Sequence, residues 1–246
     1  MPVLSLADVS LTFRRGNRHL VGVLAAVDLT VQAGEVVAVL AQRAQGKTSL
    51  LRVAAGMVRP NQGRVLLAGQ DIWLLSARRR ARLLGGEIGW VGHAAPELDV
   101  PMLTSIALPL LGTCGKSEAY ERARAALERV GAIDCAEQLW ASLADWERVL
   151  VSLAHGIVAE PHLLLVDDIT LSLGIDEAEE VTRLLDSLAR ERDLAVLMCA
   201  SDAKATGWST RVLTLFDGEL LESPAARGAP GNVIDFPPQA AWRASG

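Results

Sequence analysis

The stretch that decides the fold is Val36-Val-Ala-Val-Leu-Ala-Gln-Arg-Ala-Gln-Gly-Lys-Thr-Ser49. An apolar run leads into a short turn, Gly46-Lys47-Thr48 follows, and the helix-like Leu50-Leu-Arg-Val-Ala-Ala55 closes it. A phosphate-binding loop requires that order. Backbone N–H groups and a helix N-terminus cradle phosphates, a lysine reaches the terminal ones, and a threonine hydroxyl holds Mg²⁺. The strict pattern G-x-x-x-x-G-K-[ST] asks for glycine where Ala41 stands. Two questions follow: whether the chain binds a nucleotide, and whether it can act on one.

Outward from this stretch, strands alternate with helices. Residues 3–13 and 20–31 read as strands joined by the basic turn Arg14-Arg-Gly-Asn-Arg18. Val36–Leu40 is a short apolar run of the buried-strand type. Gly46–Ala55 reads as a helix stopped by Gly56 and Pro60, and Gly63–Gly69 and Ile88–Val91 read as strands. From about residue 100 to 160 the pattern turns mostly helical. Ser117 is the expected N-cap of a helix carrying Tyr120, Ala123, Leu127 and Val130 at helical spacing and ended by Gly131. Leu163–Val166, Leu194–Cys199 and Arg211–Phe216 read as strands, with an amphipathic helix over Glu177–Arg192. This alternation predicts a parallel α/β sheet with a helical insertion. From Ser223 onward Pro, Gly and Ala dominate, so residues 223–246 are expected to be irregular, with Phe236 and Trp242 as the candidate tethers.

Composition narrows the partners. The 246 residues suit one largish α/β domain and are half apolar, ample for a core. A net charge of −5 argues against nucleic acid as the main partner. No apolar run reaches the ~18–20 residues that span a bilayer; the nearest, Val149–Val166, is cut by His155, Glu160 and Pro161. No secretory signal is visible in the first residues. Cys114, Cys135 and Cys199 lack metal-ligand spacing and read as reduced, buried thiols of a cytosolic protein.

Gly-Lys-Thr alone carries little weight. Its place between strand and helix strengthens it, as does a later apolar strand ending in Asp167, the acidic partner expected to orient Mg²⁺. Together these favour a P-loop nucleotide fold over an ordinary strand–helix turn. The order of segments then resembles the ATP-binding cassette (ABC) ATPase, the nucleotide-binding subunit of ABC transporters, collinearly across about residues 3–222. The resemblance runs through Ala33-Gly34-Glu35, Pro60-Asn-Gln-Gly63, Ala68-Gly69, Ile88-Gly-Trp-Val91, Arg148, Glu160-Pro-His-Leu-Leu-Leu-Val-Asp167 and Leu215-Phe-Asp-Gly218. Leu103-Thr-Ser-Ile-Ala-Leu-Pro-Leu-Leu111 looks like the branch serving lipoprotein-release and macrolide-export permeases.

The resemblance implies an α/β fold of P-loop NTPase, ABC-ATPase type within residues 1–222. It would have a mixed sheet core, an antiparallel β subdomain and a helical subdomain at about residues 95–160. It implies ATP and Mg²⁺ as ligands, and a transmembrane permease subunit and a second ATP-binding domain as partners, in a homo- or heterodimer. The chain would be cytoplasmic and peripheral on the inner face of the cell membrane. Nucleotide would rest on Ala41, Ala44, Gln45, Gly46, Lys47, Thr48 and Ser49, with Thr48 and Asp167 on the metal and Phe13 stacking on adenine, unless Phe13 is core at a strand end.

Departures from the family pattern matter as much. The family's loop reads G-x-x-G-x-G-K-[ST]; Ala41 and Ala44 replace its first two glycines. A β-carbon where the backbone approaches phosphate or takes φ > 0 costs about 1–2 kcal/mol, enough to weaken binding roughly tenfold. The glutamine that senses Mg²⁺ and the permease becomes His93, an imidazole that binds metal only when neutral. The signature LSGGQ reads Ala141-Ser-Leu-Ala-Asp145, keeping only Ser142, and Asp145 brings negative charge towards a polyphosphate. The general base should be glutamate; Asp168 is one methylene shorter, and a base must come within about 2.6–3.2 Å of its water. The switch histidine falls at Ser201, and Leu171-Ser-Leu-Gly174 lacks the aspartate of the loop usually written SALD. Losing one transition-state contact costs ~10²–10³ in rate, so losing several leaves little turnover. Three readings follow: a degenerate ABC subunit that binds nucleotide with weak or no hydrolysis, a working ATPase using Asp168, and a binding or regulatory module that no longer holds nucleotide.

Overall fold

A computed structural model of the chain describes residues 1–15 and 19–222. Residues 16–18 and the segment 223–246, with Phe236 and Trp242, lie outside the described residues. Alternating apolar residues build β1 (Leu4–Arg15) and β2 (His19–Val31), which pair antiparallel. On β1, Leu4 and Leu6 and then Val9 and Leu11 are buried, so the alternation slips by one residue at Ala7-Asp8. A bulge absorbs the slip: Asp8 takes φ +53 and its N–H donates to the Asp28 carboxylate at 3.0 Å. The corresponding slip on β2, between buried Leu24 and Val27, is absorbed at Ala26 with φ +47.

β3 (Val36–Leu40) is buried along its whole length, as a central parallel strand must be. Val36, Ala38 and Leu40 enter one hydrophobic core, while Val37, Val39 and Ala41 enter the other. After the loop comes α1 (Lys47–Ala54). β4 (Gln62–Leu67) and β5 (Gln70–Asp71) form a tight hairpin whose turn residues Ala68 and Gly69 both have positive φ. They extend the first sheet to the order β2-β1-β4-β5, all antiparallel.

Next come α2 (Ala77–Glu87) and β6 (Ile88–Val91), then α3 (Met102–Ala107), α4 (Lys116–Arg129) and α5 (Asp145–Ile157). The chain returns through β7 (Leu163–Asp167), α6 (Ile175–Arg192), β8 (Ala195–Ala200), β9 (Arg211–Phe216) and β10 (Glu219–Glu222). The second sheet runs β10-β9-β3-β8-β7-β6 and is parallel except for the β10–β9 pair. α3 to α6 bury their apolar stripes in a core on one face of it, and the antiparallel sheet and α1 cover the other. This is the mixed core, antiparallel sheet and helical layer implied by the resemblance. Its order places the C-terminal ends of β3, β8 and β7 side by side, where ligands bind in open α/β sheets.

Some details depart from expectation. The N-cap of α4 is Gly115; Ser117 lies in the first turn and its hydroxyl donates to Glu121 Oε1 at 3.3 Å. Cys135 and Cys199 are buried, whereas Cys114 is only half-buried. α2, β5 and β10 are additions to the sequence reading. Among the described residues no helix is long and apolar enough to cross a membrane.

Candidate functional site

The loop between β3 and α1 owes its shape to three residues that behave differently. Ala41 continues β3: it is fully buried, and its N–H donates to the Ala200 carbonyl at 3.1 Å. It is not among the residues with positive φ, so its β-carbon packs in the core without backbone strain. Ala44 does take φ +65, and it is exposed. Gly46 takes φ +97 and caps α1 with no side-chain hydrogen bond, leaving the first-turn N–H groups of the helix for an external acceptor. The expected strain therefore belongs to Ala44 alone. Ala44→Gly is expected to stabilise the folded protein by about 1 kcal/mol, because only glycine takes φ > 0 freely; urea unfolding midpoints of the two proteins measure it.

Lys47, 8% exposed, reaches across the strand ends. Its Nζ donates to the Ala41 carbonyl at 2.8 Å and to Ser201 Oγ at 2.6 Å, with a longer contact to the Gln42 carbonyl at 3.5 Å. It also lies 3.3 Å from Asp168 Oδ2, an ion pair 17% exposed on the acid side. Ser201 donates to the same carboxylate through its N–H (2.9 Å) and its hydroxyl (2.5 Å). Asp168 takes φ +55, its N–H donates to the Cys199 carbonyl at 2.9 Å, and its own carbonyl faces His93 Nε2 at 2.7 Å. A carbonyl only accepts, so Nε2 carries the proton in that contact. The lysine meant for a phosphate is thus satisfied by the chain's own carboxylate, hydroxyl and carbonyl groups.

The two residues expected to hold the metal lie together. Thr48 Oγ1 donates to Asp167 Oδ2 at 2.9 Å, which sets a hydroxyl and a carboxylate side by side. Mg²⁺ takes one or two carboxylates and completes its shell with water and substrate phosphate, so two protein oxygens here fit Mg-nucleotide. Cys199 lies beneath, its thiol 3.8 Å from the Lys47 carbonyl. Burial, with the Asp167 charge adding to it, pushes that thiol well above its usual range, so it is an inert filler.

The structure brings Ala41, Gly46, Lys47, Thr48, Asp167, Asp168, Ser201 and His93 into one constellation. Gln45 closes the loop's turn, its N–H donating to the Gln42 carbonyl at 3.4 Å, and Ser49 stands in the first turn of α1. Phe13 is 44% exposed, which rules out the core alternative. It pairs with Val21 across β1 and β2; Val23, two residues on, is the residue Gly46 packs against. Phe13 therefore shares a sheet face with the residue that walls the loop. Ser142 stands apart: it is exposed and donates to the Leu139 carbonyl at 2.8 Å. Leu143 beside it is buried, Ala144 N–H donates to Glu147, and Asp145 pairs with Arg148 at 3.0 Å. Acidic Asp145 and Glu147 occupy the first turn of α5, where a phosphate would otherwise meet free N–H groups. Sequence reasoning missed the Ala41 carbonyl as a partner of Lys47, and Val23 as the wall of the loop. A groove of about 520 Å³, lined by Trp90, Leu98, Ile106, Leu108 and Trp140 among others, lies apart from the loop residues.

The chain is similar to known proteins over most of its length. The family described as ABC transporter matches residues 24–171. The lipoprotein-releasing system ATP-binding protein LolD of Shewanella frigidimarina is 31% identical over 213 residues, 85% of this chain and 88% of that protein. LolD 2 of Caulobacter vibrioides is 34% identical over 224 residues, 89% and 96% of the two chains. Among solved structures, a dimeric bacterial ABC transporter cassette superposes with a TM-score of 0.79 at 23% identity, covering 88% of this chain and 96% of that one. A dimeric cassette in a post-hydrolysis state, bound to ADP and Pi, superposes with a TM-score of 0.81 at 23% identity, covering 92% and 100%. At that identity the superpositions speak to the fold.

Proposed function

The chain belongs to the ABC transporter family of ATP-binding domains, with relatives in its lipoprotein-release branch, and from that premise we propose a subunit that binds Mg-ATP through a modified loop with weak or absent hydrolysis. Its partners in this reading are a transmembrane permease subunit and a second ATP-binding domain, at the inner face of the cell membrane. The similarity to lipoprotein-releasing ATP-binding proteins and to dimeric cassettes supports both partners. Lys47, Thr48, Asp167 and the backbone N–H groups of the loop and of the first turn of α1 are the groups that would hold Mg-ATP.

One observation carries the reading of weak hydrolysis. Asp168 and Ser201, at the positions of base and switch histidine, are tied to Lys47 and to each other. A carboxylate committed to a lysine and two donors is a poor proton acceptor for water. To meet a terminal phosphate, Lys47 must leave them, and a charged hydrogen bond is worth about 1.5–3 kcal/mol. Calorimetric titration with Mg-ATP, on the native chain and on Lys47→Ala, is the test. The expected result is weak binding to the native chain, none to the variant, and ATP turnover at background for both. Turnover like that of an intact cassette, abolished by Lys47→Ala, overturns the reading in favour of a working ATPase using Asp168. The same ion pair favours a second reading, a regulatory module that no longer binds nucleotide; absence of binding to the native chain selects it.

A further inference from the structure

We propose that α2 and the hairpin leading into it form a membrane-surface contact that binds anionic lipid headgroups directly, apart from any permease. The proposal rests on the reading of a membrane-associated subunit and adds a surface to it. Residues 52–86 carry seven arginines against the single Asp71, in a chain whose net charge is −5. Four of them, Arg78, Arg79, Arg80 and Arg82, stand on α2, a helix with no buried residue. Arg80 stacks on the Trp73 ring at 4.4 Å and Arg59 approaches the same ring at 5.8 Å, which gathers the segment after β5, α2 and the connection between α1 and β4 into one face. Gly56 ties them further, lying against Ile72 and Leu84.

A structural role does not account for these charges. Arg78, Arg79 and Arg82 are exposed, and among the described residues none of them has an ion pair or side-chain hydrogen bond. Arg78 and Arg79 fall in the first turn of α2, which holds no acidic residue, so they oppose the helix dipole. The cluster weakens the helix that carries it, and an external anionic surface relieves that repulsion. The apolar neighbours decide which surface. Leu74 is 84% exposed and Met57 63% exposed; in the chain Leu74 follows Trp73 directly and Met57 stands two residues before Arg59. Arginines flanking exposed aliphatic side chains suit the headgroup–acyl boundary, where the cations meet lipid phosphate and the aliphatics enter the apolar layer. A nucleic-acid backbone offers the phosphates and no layer for Leu74.

Co-flotation of the full chain with vesicles tests this, without permease. The vesicles are phosphatidylcholine alone or phosphatidylcholine with phosphatidylglycerol. The chain is expected to float with the anionic vesicles at low ionic strength, to stay behind with the neutral ones, and to be released by salt. Each basic residue near an anionic surface contributes about fivefold in affinity, so Arg78→Glu/Arg79→Glu/Arg82→Glu is expected to lose about a hundredfold or more. Leu74→Ser is expected to weaken flotation with the anionic vesicles at low ionic strength. Arg78, Arg79 and Arg82 have no ion pair among the described residues, so matching thermal melts of native and variant chains identify the loss as one of binding. Equal flotation of native and triple variant, absence of flotation, or binding to duplex DNA with none to vesicles each overturns the proposal. Mg-ATP titration of the same preparation reports on the nucleotide reading separately.

Discussion

Asp168→Asn is expected to bind Mg-ATP ten- to a hundredfold more tightly than the native chain. In the native structure Asp168 Oδ2 sits 3.3 Å from Lys47 Nζ and accepts from the Ser201 hydroxyl, so the loop's cation is held before any phosphate arrives. Asparagine keeps the shape and can still accept from the Ser201 N–H through its carbonyl oxygen. The substitution removes the negative charge that competes for the lysine and repels a polyphosphate. A charged hydrogen bond is worth about 1.5–3 kcal/mol, or about ten- to a hundredfold in affinity. Calorimetry on the two proteins measures it. Unchanged or weaker binding means that the ion pair opens freely and does not gate the site. Turnover provides the second readout. If Asp168 serves as a base, Asp168→Asn abolishes a measurable rate; in the reading proposed here the rate stays at background while affinity rises.

The core of this site was legible in the sequence because its signals are local. β3, Gly46-Lys47-Thr48 and α1 lie in one contiguous stretch, and the apolar run ending at Asp167 marks itself by composition. The network that occupies Lys47 was not legible. It joins residues at the ends of β3, β7 and β8, whose adjacency depends on strand order and not on spacing. Asp168 read as an arm too short for its role; the structure shows that arm turned towards the lysine, from a backbone with φ +55. Ser201 read as a missing ring, whereas its hydroxyl links both charges. α2 escaped for another reason. Its stability comes from no buried stripe, and Gly85-Gly86 in its last turn blurs the pattern. Ser76, which accepts the Arg79 N–H at 3.4 Å, was the one start signal available.

Gly46→Ala is expected to destabilise the folded chain by about 2–4 kcal/mol and to abolish nucleotide binding with it. The backbone there has φ +97, where an L side chain is strained. An added β-carbon would meet Val23 Cγ1 at 2.8 Å and the Val23 carbonyl oxygen at 3.0 Å. The first is a flexible methyl, but the second is backbone locked in β2, so the loop must move instead. Movement of Gly46 carries Lys47 and Thr48 with it, away from Ser201 and Asp167. The same reasoning explains which glycines this chain could lose. Ala41 is extended strand packed in the core; Ala44 has positive φ but an exposed β-carbon; Gly46 combines positive φ with no space. Ala44→Gly and Gly46→Ala, two residues apart, should therefore shift the unfolding midpoint in opposite directions. Equal tolerance of alanine at both positions would mean that Val23 does not wall the loop in solution.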